Sequence, residues 1–280
     1  MSNVKSLRWL KENLGDPDIV IADCRFQLGE PEKGYNKYKE GHIPGAVYFD
    51  LEKELSAPIS THGGRHPLPE TEQMAALFSK KGIDHTKQVI IYDDQGGAMA
   101  SRLWWMLKYT GHNNAAILEE GFSAWREKGY PVTPEIPEPE ITQYIPELNS
   151  GMLASAEDVK DSLHRNDVLL IDSRAEQRFT GETEPIDPVA GHIPGAVNED
   201  WQNRLNENGK WKPAEEQAKE LSKYNTDKND VIVYCGSGVT ACANVLAMEE
   251  AGIKPKLYAG SWSDWITYKD APVETGHKNK

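Results

Sequence analysis

The sequence predicts two α/β domains in tandem, each a small parallel β-sheet with helices on both faces. Three observations carry this expectation. The heptapeptide GHIPGAV occurs twice, at Gly41–Val47 and Gly191–Val197. Its surroundings recur in the same order: VIADCR (Val20–Arg25) answers LLIDSR (Leu169–Arg174), VIIYDD (Val89–Asp94) answers VIVYCG (Val231–Gly236), and EGFSAW (Glu120–Trp125) answers GSWSDW (Gly260–Trp265). One long period in two copies marks a duplicated domain and not a solenoid of short units. Finally, runs that are apolar throughout alternate with helical periodicity, as in parallel sheets covered on both faces.

The elements follow in order. Leu7, Leu10 and Leu14 share one face of a short amphipathic helix that Gly15 closes. Ile19–Ala22, Val89–Tyr92 and Ala115–Leu118 read as buried strands. Met74, Leu77 and Phe78 mark a helix that opens after Pro69 and ends near Gly82, and a second helix over Ala98–Tyr109 stops at Gly111. From Thr133 to Gly151 the chain carries Pro134, Pro137, Pro139 and Pro146, a density that blocks helix and favours extended backbone, so a connector between the domains is expected there. The second half repeats the pattern with strands Val168–Asp172, Val231–Tyr234 and Lys256–Tyr258, a helix after Pro213, and another from about Val239 to Ala251 closed by Gly252. The expected domains are residues 1–133 and 152–280, joined by a Pro-rich linker over 134–151.

Composition narrows the function. A net charge of −13 without a Lys/Arg run opposes nucleic-acid binding, because phosphate backbones are held by clustered cations. Any anion site must be local. No stretch approaches the roughly 20 apolar residues that cross a bilayer. The first residues lack the apolar core of a secretion signal, and Glu12 and Asp16 oppose a transit peptide, so a cytoplasmic address is expected. The 3 cysteines have no CxxC spacing, which suggests neither a disulfide framework nor a metal site.

Chemistry in open parallel sheets collects where a strand's carboxyl end turns into a helix. Val231–Leu246 fits that description: a buried strand, then Cys235, Gly236, Ser237, Gly238, Val239 and Thr240, then an Ala-rich helix. The two glycines let successive N–H groups point inward, and the helix start adds its positive dipole end. This cradle favours an anionic sulfur on Cys235, or on an outer sulfur bound to it. Cys24, inside its strand, and Cys242, on the following helix, lack such surroundings and read as core thiols. A cysteine-dependent phosphatase needs a Cys-x₅-Arg loop whose Arg clamps phosphate, and here Ala241 stands at that position. The cradle suits a single sulfur atom better.

The DCR and DSR strands, the paired GHIPGAV segments and the CGSGVTA loop resemble the tandem rhodanese-domain sulfurtransferases over nearly the whole chain. The resemblance implies two rhodanese-like domains, each around a five-stranded parallel sheet, with only the C-terminal one catalytic and its cysteine carrying a persulfide. Asp93 stands where the repeat aligns Cys235, so the first domain is expected to be a non-catalytic partner that walls the cleft. Loops like CGSGVT are more typical of 3-mercaptopyruvate sulfurtransferases. Thiosulfate-preferring members commonly place a basic pair after the cysteine, where this chain has Gly236 and Ser237. The implied reaction therefore moves sulfur from 3-mercaptopyruvate, or alternatively thiosulfate, to cyanide, a thiol or reduced thioredoxin, without metal or organic cofactor. A sulfur carrier or docking module without turnover is the alternative outside enzymes.

Roles follow from the same resemblance. Arg174 is the expected binder of the substrate anion, the competing role being a salt bridge to Asp172 or Glu176. Arg178 either assists it or lies on the surface, and Arg25, the repeat counterpart of Arg174, reads as structural. Ser237 is expected to hydrogen-bond the leaving enolate or pass a proton to it, in relay with His66, in GRHPLP, and Glu52, where relatives carry Asp. A solvent-facing loop position is the alternative for His66. Trp262 either lines the pocket or packs in the core, whereas His42 and His192, present in both repeats, read as structural.

Overall fold

The computed structural model describes residues 2–225 and 230–277, so the outer limits expected for the two domains, 1 and 280, lie outside the described residues. The chain forms two compact units. One contains the chain up to Ala57 with Pro69–Asn149 and Glu207–Trp211; the other contains Pro58–Leu68, Ser150–Asn206 and the chain from Lys212 onward. The units are thus less contiguous in sequence than a simple split would make them, and each keeps a short segment from the other half of the sequence.

The first unit runs β1 (Val4–Lys5), α1 (Leu7–Glu12), β2 (Ile19–Asp23), α2 (Lys33–Glu40), β3 (Val47–Tyr48), α3 (Thr71–Lys80), β4 (Gln88–Tyr92), α4 (Ala98–Tyr109), β5 (Ala115–Leu118) and α5 (Phe122–Glu127). Its parallel sheet has the order β1-β5-β4-β2-β3. Ser6 caps α1 by accepting the Trp9 N–H, and Leu7 and Leu10 bury the predicted face. Glu70 and Gln73 form the capping box that opens α3 one residue beyond Pro69 and Glu70. The Pro-rich stretch up to Asn149 is stitched to this unit: Thr142 and Glu147 donate backbone N–H groups to Ser79 and Thr110, and buried Tyr144 packs edge-on against Phe78.

The second unit repeats the plan with β6 (Leu153–Ala154), α6 (Ala156–Ser162), β7 (Val168–Asp172), α7 (Glu176–Thr180), β8 (Val197–Asn198), α8 (Ala214–Leu221), β9 (Asp230–Tyr234), α9 (Ala241–Glu250), β10 (Lys256–Tyr258) and α10 (Ser261–Trp265). The strand order is β6-β10-β9-β7-β8, the same arrangement as in the first unit, and all pairs are parallel. Among the described residues no helix is long and apolar enough to cross a membrane.

The repeated heptapeptide is a structural clasp. In each copy the histidine backbone pairs antiparallel with the residue directly after a Pro-Val, His42 with Thr133 and His192 with Glu274. Each ring bonds a carbonyl through Nδ1, that of Tyr38 or Phe179, at 2.7 Å, and stacks on the same residue's ring. Ile43 and Ile193 are fully buried, and their N–H groups donate to Tyr92 and Tyr234. The tryptophans of EGFSAW and GSWSDW form a second matched lock: the Trp125 and Trp265 indoles donate to the Pro131 and Pro272 carbonyls at 2.8 and 2.9 Å. Trp265 lies wholly inside the second core with Phe179, Tyr258 and Trp262. Trp265→Ala is expected to destabilise the second unit by about 3–5 kcal/mol through lost burial and a residual cavity. Denaturant unfolding that moves by less than about 1 kcal/mol would place the lock outside the core's energetics.

Candidate functional site

Sheet geometry delivers two equivalent loops, one after β4 and one after β9. In the first, the Asp93 carboxylate accepts four backbone N–H groups: Gln95 and Gly97 on Oδ1 at 2.9 Å, and Met99 and Ala100 on Oδ2 at 2.8 and 3.0 Å. Burial pushes the Asp93 carboxyl above its usual range, against the opposite pull of these amides. The strand-loop-helix connection therefore makes an anion cradle, and the first unit fills it with its own side chain.

In the second loop the residue in that position is Cys235. Its backbone is pinned on α10: the Cys235 N–H donates to Ser261 Oγ at 3.1 Å, and the Trp262 and Ser263 N–H groups donate to the Cys235 and Gly236 carbonyls at 3.0 and 2.9 Å. Gly238 has φ +74°, and a Cβ there would fall 2.1 Å from the Ala259 carbonyl oxygen, so only glycine closes this turn. Among the described residues, the N–H groups of Gly236, Ser237, Val239 and Thr240 are not given to any backbone carbonyl outside regular elements. Thr240 precedes α9, which begins at Ala241, and makes no side-chain cap bond to it. Cys235 is buried, at 1% exposure, so whatever charge its sulfur carries is set among backbone dipoles and not in bulk water.

The other two cysteines are as the sequence implied. Cys24 is buried, and desolvation holds its thiol well above the ordinary range. The Cys242 thiol donates to the Gly238 carbonyl at 3.4 Å, and all three cysteines are free.

Residues 58–68 bring the remaining groups to this loop. The Gly63 N–H donates to Asp264 at 2.7 Å, the Arg65 N–H donates to Ser263 Oγ at 3.0 Å, and the His62 ring stacks on Tyr268. Gly64 packs so closely on Gly260 that a Cβ would fall 2.4 Å from its carbonyl oxygen. Thus docked, His66 is buried with Nδ1 2.8 Å from Ser237 Oγ, a separation suited to proton transfer. Glu52, named with it, is exposed in the first unit, its N–H bonded to Asp50.

Two guanidinium groups flank the loop. A Cβ on Gly236 would fall 3.0 Å from Arg65 Nη2 and 3.5 Å from both terminal nitrogens of Arg178. Asp187 pairs with both arginines, and Glu184 holds Arg178 through Nε and Nη2 at 2.9–3.1 Å. Burial raises the Asp187 carboxyl. Glu184 feels the same desolvation, but Arg178 and the Ile186 and Asp187 N–H groups hold it below its usual value. Arg65 escaped the sequence reading; its one signal was adjacency to His66.

Arg174 and Trp262 are both engaged inside the fold. The Arg174 side chain is 1% exposed, bidentate to Asp172, bonded to the Gly191 carbonyl at 2.6 Å and to Glu184 at 3.3 Å. Arg25 makes the same bonds to Asp23 and the Gly41 carbonyl, so this arginine fastens the DCR or DSR strand to the heptapeptide in both units. Trp262 is also fully buried, its indole donating to the Val189 carbonyl and its ring under the Arg174 guanidinium at 4.8 Å. Removing one partner of such a buried pair strands the other charge. Arg174→Ala should therefore cost about 3–5 kcal/mol of stability by denaturant titration, and unchanged stability with weakened donor binding would restore the substrate role.

Three comparisons bear on the chain as a whole. The Rhodanese-like domain model matches residues 6–128 and 155–268. A Pseudomonas aeruginosa protein named "Probable 3-mercaptopyruvate sulfurtransferase" is 40% identical over 272 residues, covering 95% of this chain and 96% of its own, and a Rattus norvegicus "Thiosulfate sulfurtransferase" is 33% identical over 96% and 93%. The crystal structure of SseA from Escherichia coli, described among 3-mercaptopyruvate sulfotransferases, superposes with a TM-score of 0.81 at 33% identity over 94% of this chain and all of that one.

Proposed function

The chain belongs to the rhodanese-like family, and from that premise we propose that it is a sulfurtransferase whose Cys235 carries sulfur from 3-mercaptopyruvate to a thiophilic acceptor. The observation that carries this reading is the 2.8 Å contact between Ser237 Oγ and His66 Nδ1 beside the cysteine loop.

In the first half-reaction the Cys235 thiolate attacks the donor sulfur and the carbon–sulfur bond breaks. Its electron pair leaves on the pyruvate enolate, and a proton from Ser237, replaced from His66, completes pyruvate. Cys235 is left as a persulfide. The N–H groups of Gly236, Ser237, Val239 and Thr240 stabilise the charge on its outer sulfur, as four amides stabilise Asp93 in the first unit. Arg178 and Arg65, flanking Gly236, orient the donor carboxylate. In the second half-reaction cyanide, a thiol or the thiolate of reduced thioredoxin takes the outer sulfur, and the Cys235 thiolate returns. The free, buried cysteines agree with a reducing compartment, and the cytoplasm is the proposed one.

A second reading, thiosulfate as donor, is favoured by the pair of guanidinium groups, since a dianion gains more than a monoanion from two cations. The proton separates the readings, because sulfite leaving from thiosulfate needs none. Cys235→Ser should reduce sulfur transfer to background with either donor while leaving the fold intact; substantial residual turnover would exclude the persulfide route. Ser237→Ala and His66→Gln should each lower kcat with mercaptopyruvate by about 10²-fold and leave thiosulfate turnover nearly unchanged. Equal losses with both donors would remove the relay from the mechanism.

A further inference from the structure

The first unit has a cationic cavity beside the loop that carries Asp93. At the carboxyl end of its sheet lies a cavity of about 250 Å³ whose lining includes Arg25, Lys33, Gly34, Lys37, Asp94 and Gln95. The repeat gives these residues their counterparts. Arg25 matches Arg174, and Asp94 and Gln95 follow Asp93 as Gly236 and Ser237 follow Cys235. Tyr38 stacks on His42 as Phe179 stacks on His192, which sets Lys37 where the second unit has Arg178.

One difference between the copies points to a ligand. Arg174 and Arg25 spend Nε and Nη2 identically, on the aspartate of their strand and on the carbonyl of the heptapeptide glycine. Arg174 Nη1 is then taken by the Glu184 carboxylate at 3.3 Å. Among the described residues no acceptor is bonded to Nη1 of Arg25, whose guanidinium sits over the Phe122 ring at 4.0 Å and lines the cavity. Lys37 has no carboxylate partner among the described residues, and Lys33 is held by Glu30 in an exposed pair of small energetic weight. The Asp94 carboxylate is engaged by Ser123, whose N–H and hydroxyl donate to it at 2.8 and 2.7 Å.

We propose that this cavity binds a small oxyanion of the sulfate or carboxylate class, with the anion's oxygens placed against Arg25 and Lys37 as the Glu184 carboxylate is placed against Arg174 and Arg178. Asp93 holds the position from which a sulfur would react, so the anion is bound and released without conversion. The site lies wholly within the first unit and does not depend on the sulfur-transfer reading.

Sulfate is the probe. Isothermal titration of the full chain with sodium sulfate, at ionic strength held constant with chloride, is expected to show saturable binding. Exchange of both exposed lysines, Lys33→Glu with Lys37→Glu, should weaken it by about tenfold or more, whereas Lys37→Arg and Arg178→Ala should leave it within about twofold. Absence of saturable binding overturns the proposal, and so does sulfate affinity that survives the lysine exchange or disappears in Arg178→Ala. Sulfur transfer does not enter the readout, so this test and those of the proposed reaction can fail separately.

Discussion

Backbone N–H groups left unpaired at the turn from strand to helix are the constraint on which this molecule depends. Four of them close on the Asp93 carboxylate after β4, which shows what that turn is shaped to hold: one compact negative charge, out of water. After β9 the same position carries a thiol. The Asp93 carboxylate saturates these donors in the first unit, and on the proposed function a sulfur at Cys235 leaves its loop free to hold the anion the sulfur becomes. The two copies keep one strand order while the side chain at this position differs, Asp93 in one and Cys235 in the other.

Holding that turn in place requires rigid strand ends, and the buried arginines supply them. Arg25 and Arg174 each tie the aspartate ending a central strand to the carbonyl of the heptapeptide glycine. The heptapeptide histidine is itself paired with a residue near the end of its unit. Arg174 also reaches Glu184, which positions Arg178 beside Gly236. A structural ion pair thus reaches the Cys235 loop at one remove, through a carboxylate it shares with a residue that lies at the loop.

Much of this was legible in the sequence, for identifiable reasons. Buried parallel strands advertise themselves as unbroken apolar runs, so Ala115–Leu118, Val168–Asp172 and Lys256–Tyr258 carry the bounds the residues suggested. The edge strands β1, β3, β6 and β8 are two residues each, too short for any period to register. The cysteine loop was readable because glycine, strand and helix are contiguous around it. Arg65 was not: its place beside Gly236 comes from the docking of residues 58–68 on α10, a contact between segments some two hundred positions apart that no local pattern encodes. For Arg174 and Trp262, sequence position reports which end of a strand a residue occupies, but not the buried partners, Asp172 and the Val189 carbonyl, that each has in the fold.

The most direct measurement is mass analysis of the protein after exposure to donor alone, followed by digestion without reductant. The account predicts a gain of one sulfur atom confined to the peptide containing Cys235, lost again on addition of cyanide. A protein that turns over donor with no such gain, or that carries the extra sulfur on Cys24 or Cys242, would contradict it.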